Sequence, residues 1–200
     1  ASRIYGREIT KADKAERFMG KQTVLGCGYG MGFKRFREML DEIYDVQIDV
    51  AFAKKVIKTY REANPAIVAL WRTLQAGFRA VIGGRMKRVK VGPVFMGTAR
   101  IEDHAWAWIE IRSGRRLWYF HPYVKGDEVR YFGREPGRGW GDVHTHGGKI
   151  AENIVQAAFL KAMEALGITV KDIHTSGHAD VPSLQRMADK LQPKKILPIH

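Results

Sequence analysis

The chain has 200 residues, is 45% hydrophobic, and carries 34 lysines and arginines against 21 acids, a formal net charge of +13. That supplies a globular core for one domain or two small ones. It excludes a transmembrane helix, because no apolar run approaches about 18 residues, and the single cysteine, Cys27, excludes an internal disulfide.

The charge favours a polyanionic partner, nucleic acid first, over a surface that is merely solubilising. The lone cysteine suits a reducing cytoplasm. "ASRIYGREITKADK" is no signal peptide. A start without Met and an end on the strand-like "KKILPIH" read as the two cuts of a fragment.

In chain order, "KADKAERFMGKQTVL" predicts a helix over 11–25, ended by glycines. "FKRFREMLDEIYDV" predicts a second over 33–46, and 50–64 a third. Pro65 suits the first turn of a fourth, running through Trp71 to Ala80. "VIGGRMKRVKVG" then breaks the helical pattern. Its cluster with Arg79 (Arg85, Lys87, Arg88 and Lys90) reads equally as a solvated loop and as a track for a phosphate backbone. "WAWIEIRSGRRLWYFHPYV" alternates and turns at Ser113–Gly114, which predicts a β-hairpin. Its Trp106, Trp108, Trp118, Tyr119 and Phe120 read as a packed face of cross-strand pairs rather than a base-stacking platform. "DEVRYF" predicts a strand and "GREPGRGWGD" a loop. From Gly148 the pattern is helical, with one apolar stripe at Ile150, Ile154, Val155, Ala158, Phe159, Ala162 and Leu166. After Gly167 a strand, a helix and a strand make a βαβ-like piece. The fold class is therefore α+β.

The first helix carries the candidate site. Arg17, Lys21, Leu25 and Tyr29 are each four apart and lie in one slowly drifting stripe. A guanidinium and an ammonium one turn apart repel each other, which makes sense if a polyphosphate sits between them. On Arg17 and Lys21 alone, a solvated basic face ending in a glycine cap is the favoured reading. Gly26, Gly28, Gly30 and Gly32 do not make a phosphate loop: neither G-x-x-x-x-G-K-[ST] nor G-x-G-x-x-G occurs here, and the glycines follow the helix where phosphate loops precede one. Cys27, beside them, reads as a small packing residue.

The spacing R-x-x-x-K-x-x-x-[apolar]-x-x-x-Y-G, here Arg17, Lys21, Leu25, Tyr29 and Gly30, resembles the O-helix motif of family A DNA polymerases. The surroundings resemble the phage branch of that family: "IYG" at Ile4–Gly6, "GKQTVLGCGYGMG", "YREANPAIVALW" at Tyr60–Trp71, "SGRRLWY" at Ser113–Tyr119 and "THGGKIAENIVQA" at Thr145–Ala157. The resemblance covers about residues 1–160. It implies a helical fingers-like region at 1–80 and a palm-like antiparallel sheet with a long helix at 81–166. Arg17 and Lys21 would contact the triphosphate of an incoming dNTP. Lys21 would also act catalytically on the leaving pyrophosphate. Leu25, where the family often has an aromatic, would pack on the sugar. Tyr29 and Gly30 would sit at the templating position, and Gln156 near the primer–template minor groove. The implied reaction is nucleotidyl transfer with two Mg²⁺. The His-Asp-Glu tripeptide that carries one of the family's metal-binding aspartates is absent. The chain alone is therefore expected not to polymerise.

Where that motif is due, His174-x-Ser176-Gly177-His178-Ala179, followed by Pro198-x-His200, resembles the C-terminal part of β-CASP metallo-β-lactamase-fold nucleases of the ribonuclease J kind, over about 159–200. That resemblance implies RNA-phosphate contacts at His174 and His178 and a Zn²⁺ ligand at His200. The H-x-H-x-D-H motif of that fold is missing; His144 and His146 supply only H-x-H and read as loop histidines. The chain so reads as a splice of two families joined within residues 159–172, with a tail at 167–200. Three functions follow: a fragment of a DNA-directed DNA polymerase, a piece of a metal-dependent β-CASP RNase, or a non-catalytic basic DNA-binding module. The first implies DNA primer–template and dNTP as partners, no membrane, a monomer, and the cytoplasm of a bacterium or phage-infected host.

Overall fold

The computed structural model describes residues 1–135 and 139–165. Five helices come first: α1 Ser2–Tyr5, α2 Lys14–Cys27, α3 Phe33–Tyr44, α4 Val50–Ala63 and α5 Pro65–Ile82. Six strands follow: β1 Arg88–Val91, β2 Val94–Ile101, β3 His104–Glu110, β4 Arg116–Lys125, β5 Glu128–Glu135 and β6 Gly139–Thr145. Helix α6 spans Gly147–Ala165. The architecture is α+β. Ala1–Ala162 form one compact unit; of the second, Met163–His200, the description reaches only the last residues of α6.

Local chemistry sets the helix ends. The Asp49 carboxylate accepts from the Phe52 N–H at 2.6 Å and caps α4. Pro65 opens α5, where its missing N–H costs nothing. Asp45 closes α3 in a left-handed conformation, its N–H donating to the Asp41 carbonyl while the Val46 N–H donates to that of Leu40. Phe36, Leu40, Val56, Ile57, Met19 and Cys27 are buried among α2, α3 and α4.

The sheet is a meander in the order β1-β2-β3-β4-β5-β6, every neighbour antiparallel. α5 lies across one face of it, touching β1, β2, β4 and β5. Leu74, Phe78 and Val81 of α5 share one buried core with Val91, Met96, Ile109, Tyr119 and Val129 of the strands. The Phe78 and Tyr119 rings meet edge-on at 4.9 Å. Asn153 of α6 donates to the Tyr119 hydroxyl at 3.2 Å. Burial pushes that phenol up to about 12, so it stays a neutral partner.

Several sequence expectations change. "VIGGRMKRVKVG" and the residues after it are not simply loop: "RVKV" is β1, hairpinned onto β2 through Gly92–Pro93. Val89 and Val91 turn toward α5, leaving Arg88 and Lys90 on the other face; four residues of alternation were too few to separate from a basic loop. "GREPGRGWGD" also contains strand. β5 continues to Glu135 and β6 begins at Gly139, with pairing from Val129↔Thr145 to Glu135↔Gly139. The glycines of β6 carry no strand preference; its partner supplies the ladder. On α6 the buried stripe is Ile150, Ala151 and Ala157, while Val155 and Phe159 are exposed. The βαβ-like tail, with His174, His178 and His200, lies outside the described residues.

Candidate functional site

The lead-in to α2 is pinned. The Asp13 carboxylate accepts from the Thr10 N–H and hydroxyl at 2.7 and 2.9 Å and pairs with Arg7 at 2.8 Å. The Arg7 guanidinium, then the Thr10 bonds, hold its carboxyl down at about 2. Arg7 also reaches Glu16 in the first turn of α2 at 2.6 Å. The helix then divides cleanly. Met19, Gln22, Thr23 and Cys27 are buried, and Arg17, Lys21 and Leu25 are exposed on the opposite side, Leu25 at 47%. Burial pushes the Cys27 thiol up to about 12, which makes it a packing residue and no nucleophile.

Beyond Cys27 the backbone turns through Gly28, Tyr29 and Gly30, closed by the Gly30 N–H donating to the Cys27 carbonyl at 3.1 Å. Gly30 has φ +87°, open to glycine at little cost. Tyr29 is half-buried. α6 starts directly against this turn. A Cβ on Gly148 would collide with the Tyr29 carbonyl, and one on Gly147 with the Trp71 carbonyl of α5. The two glycines of "THGGK" thus let three backbones meet.

The first N–H groups of α6 are all occupied from within the chain. Gly147 donates to Gln75 Oε1 at 3.0 Å, Gly148 and Lys149 to His146 Nδ1 at 3.2 and 3.4 Å, and Ile150 to the His146 carbonyl at 2.9 Å. His146 is therefore the cap of α6, and it accepts only while Nδ1 is unprotonated. Burial first, then the charges of His144 and Lys149, lower its pKa below the ordinary histidine value; Glu152 opposes them. Because the folded value lies below the unfolded one, this cap contributes fully above about pH 6.5 and is lost as pH falls through the folded value. Urea melts between pH 7.5 and 5 are expected to show stability dropping on acidification. The drop should shrink in His146→Asn, which caps without titrating; an unchanged pH profile would remove His146 from that role.

Around the same junction lies a cleft of about 230 Å³, walled by Gly30, Arg61, Trp71, Arg72, Gln75 and His146 among others. Arg61 of α4 and Arg72 of α5 are exposed, and neither has an acid partner among the described residues. Neither stands out in the sequence, because they converge only through the chain reversal at Asn64–Pro65. Gln156 stands apart, about 12 Å along α6 from Gly148. It is exposed and donates to Glu152 at 3.2 Å. The structure therefore joins Tyr29 and Gly30 to the start of α6, sets Arg17, Lys21 and Leu25 on one open face, and leaves Gln156 two turns away. Among the described residues no three His, Cys, Asp or Glu side chains converge as metal ligands, and no helix is long and apolar enough to cross a membrane.

Comparison with known proteins gives two matches of different kinds. The chain is 31% identical over 182 residues to a DNA polymerase of Bacillus phage SP02, with 86% of this chain and 26% of the polymerase covered. The chain thus spans about a quarter of that relative's length. Residues 166–200 match the family model of the Zn-dependent metallo-hydrolase RNA specificity domain. No solved structure matches. The chain is therefore similar to a phage DNA polymerase over most of its length and to a metallo-hydrolase RNA specificity domain over its last 35 residues.

Proposed function

We propose that the chain is the nucleotide- and primer–template-binding part of a family A DNA polymerase, an enzyme of template-directed nucleotidyl transfer. The observation that carries this reading is the open face of α2: Arg17, Lys21 and Leu25 line solvent and lead into a Tyr29–Gly30 turn held by α6. In it, Arg17 grips the dNTP triphosphate as a fork and Lys21 as a point charge on the leaving pyrophosphate. Leu25 packs on the sugar, and Tyr29 and Gly30 meet the templating base. Gln156 reaches the minor groove. Residues 1–80 then act as fingers and 81–166 as palm. Arg61 and Arg72 extend the reading, as contacts to template phosphates beside the turn.

The family implies Mg²⁺. The described residues offer no cluster of carboxylates to hold it, so they do not fit a two-metal centre and no step is assigned through one. The 200-residue chain is expected to bind primer–template and dNTP without extending the primer; steady synthesis with Mg²⁺ in a primer-extension assay would overturn that division of labour.

The reading is tested by anisotropy titration of a labelled primer–template across a salt series. Each phosphate contact contributes about −0.9 to the slope of log affinity against log salt. Arg61→Ala with Arg72→Ala is expected to weaken binding and flatten that slope by about 2. Salt-insensitive binding by the unsubstituted chain, or an unchanged slope in the double variant, would count against the interface.

A second reading is favoured by the match at 166–200: RNA binding by the tail, with His174 and His178 at the phosphates and His200 toward Zn²⁺. It is tested by RNA affinity in His178→Ala, which should fall without change in primer–template affinity.

A further inference from the structure

We propose that the sheet face opposite α5 is a stacking platform for single-stranded DNA. It stands on the chemistry of the sheet and not on the α2 reading.

The strand register assigns the faces. Trp106 pairs with Phe120, Trp108 with Trp118 and Phe120 with Phe132. Alternation sends Tyr119 to the α5 side, where it is buried, and the flanking Trp118 and Phe120 to the other. The rings form a connected row across the strands. Trp118 lies 6.1 Å from Trp106, Trp106 4.7 Å from Phe120, Phe120 6.3 Å from Phe132, and Phe132 6.1 Å from Trp140, the last pair nearly parallel at 22°. The row is open to solvent: Trp118 is 41% exposed, Phe132 45% and Trp140 70%. Cross-strand pairing accounts for the ring contacts. It does not account for large rings left in water on a face that no described helix covers.

The cations on this face narrow the occupant. Arg88 sits 4.2 Å over the Phe95 ring and Arg116 4.5 Å over Trp108. Glu110 fixes Arg116 at 2.8 Å, and Glu128 and Asp142 hold Arg130 at 2.7 Å each. By register, Arg88, Lys90, Arg116, Lys125, Arg130 and Arg134 share the face, among the described strand residues, with only the acids Glu110, Glu128 and Asp142. An apolar protein partner would have to desolvate those cations, whereas a strand of unpaired bases offers flat faces to the rings and phosphates to the guanidinium groups. Duplex DNA keeps its base faces stacked inside and cannot use the rings. A bulge interrupts β4 at the centre of the row, between Phe120 and Tyr123. There His121 is held at φ 44°, within 3.1 Å of His104, an arrangement that proteins use to re-aim a strand at a binding surface.

The test uses the full 200-residue chain and three labelled probes: a dT 20-mer, an abasic 20-mer of equal charge, and the primer–template. Trp118→Ala/Phe132→Ala/Trp140→Ala is expected to lose at least tenfold in dT affinity, since stacking on each ring carries a several-fold or larger effect. Its abasic and primer–template affinities should hold within twofold, and the three aromatic-to-aromatic swaps Trp118→Phe, Phe132→Tyr and Trp140→Phe should retain dT binding. If the triple variant does not fold, Trp140→Ala, which removes the most exposed ring, carries the test. Unchanged dT affinity in a folded variant, or equal dT and abasic affinity in the unsubstituted chain, would overturn the platform. Failure of the unsubstituted chain to bind the primer–template, with its dT binding intact, would strike the α2 reading and leave this one standing.

Discussion

Gly148→Ala is expected to unseat α6 and lower stability by about 3 kcal/mol or more, at the upper end of overpacking effects. The added Cβ would have to occupy the position of the Tyr29 carbonyl. Neither backbone can yield cheaply. The Tyr29–Gly30 turn is closed onto Cys27, and the start of α6 is fixed by Gln75 and His146. Gly141→Ala is the control, because a Cβ there meets nothing within 4 Å; it should change stability by no more than about 0.5 kcal/mol. Urea melts of the two variants settle the comparison. Equal midpoints would mean that α6 does not seat on the turn as described. Under the polymerase reading, Gly148→Ala should also weaken primer–template binding, because the same carbonyl belongs to the residue at the templating position.

Lys21→Ala is expected to behave in the opposite way, with normal stability and damaged nucleotide binding. Lys21 is exposed and makes no ion pair among the described residues, so its removal takes nothing from the core. Charge-assisted bonds to a triphosphate contribute about 1.5–3 kcal/mol, or roughly 10- to 100-fold in affinity. A fluorescent dNTP should therefore bind at least tenfold more weakly, while duplex affinity moves by less than twofold. Equal losses for dNTP and duplex would reduce α2 to a general basic contact. Arg17→Lys is the companion variant: it keeps the charge, loses the fork, and is expected to fall between wild type and Lys21→Ala.

The stripe of Arg17, Lys21 and Leu25 was legible as one exposed face because it lies on a single helix. Four-residue spacing places Arg17, Lys21 and Leu25 together whatever the rest of the chain does, and α2 shows them on its open side. The helices were legible for a related reason: amphipathic periods and end signals such as Asp49 and Pro65 act within one turn. What failed was non-local. β1 and β6 hold their places through partners whose register no window of the sequence contains, and the glycines of β6 and the charges of β1 point locally toward loop. Arg61 and Arg72 meet across a helix reversal. His146 looked like a loop histidine beside His144 and became the cap of α6. His104 and His121, without an evident partner in the sequence, face each other across a bulge. The aromatic run read as packed is half so. Alternation buries Tyr119 and exposes its neighbours, but which face the helices would cover is fixed only by the path of α5.

Photoaffinity labelling reads out whether dNTP binds on the open face of α2, beside the Tyr29–Gly30 turn. The full chain is irradiated with an azido-substituted dATP, digested with trypsin and read by mass spectrometry. Saturable label, competed by unmodified dATP, is expected in the peptide Gln22–Lys34 and is lost in Lys21→Ala followed with a protease that does not cut at lysine. Competed label confined to the sheet or to residues 166–200, with none on that peptide, would contradict it.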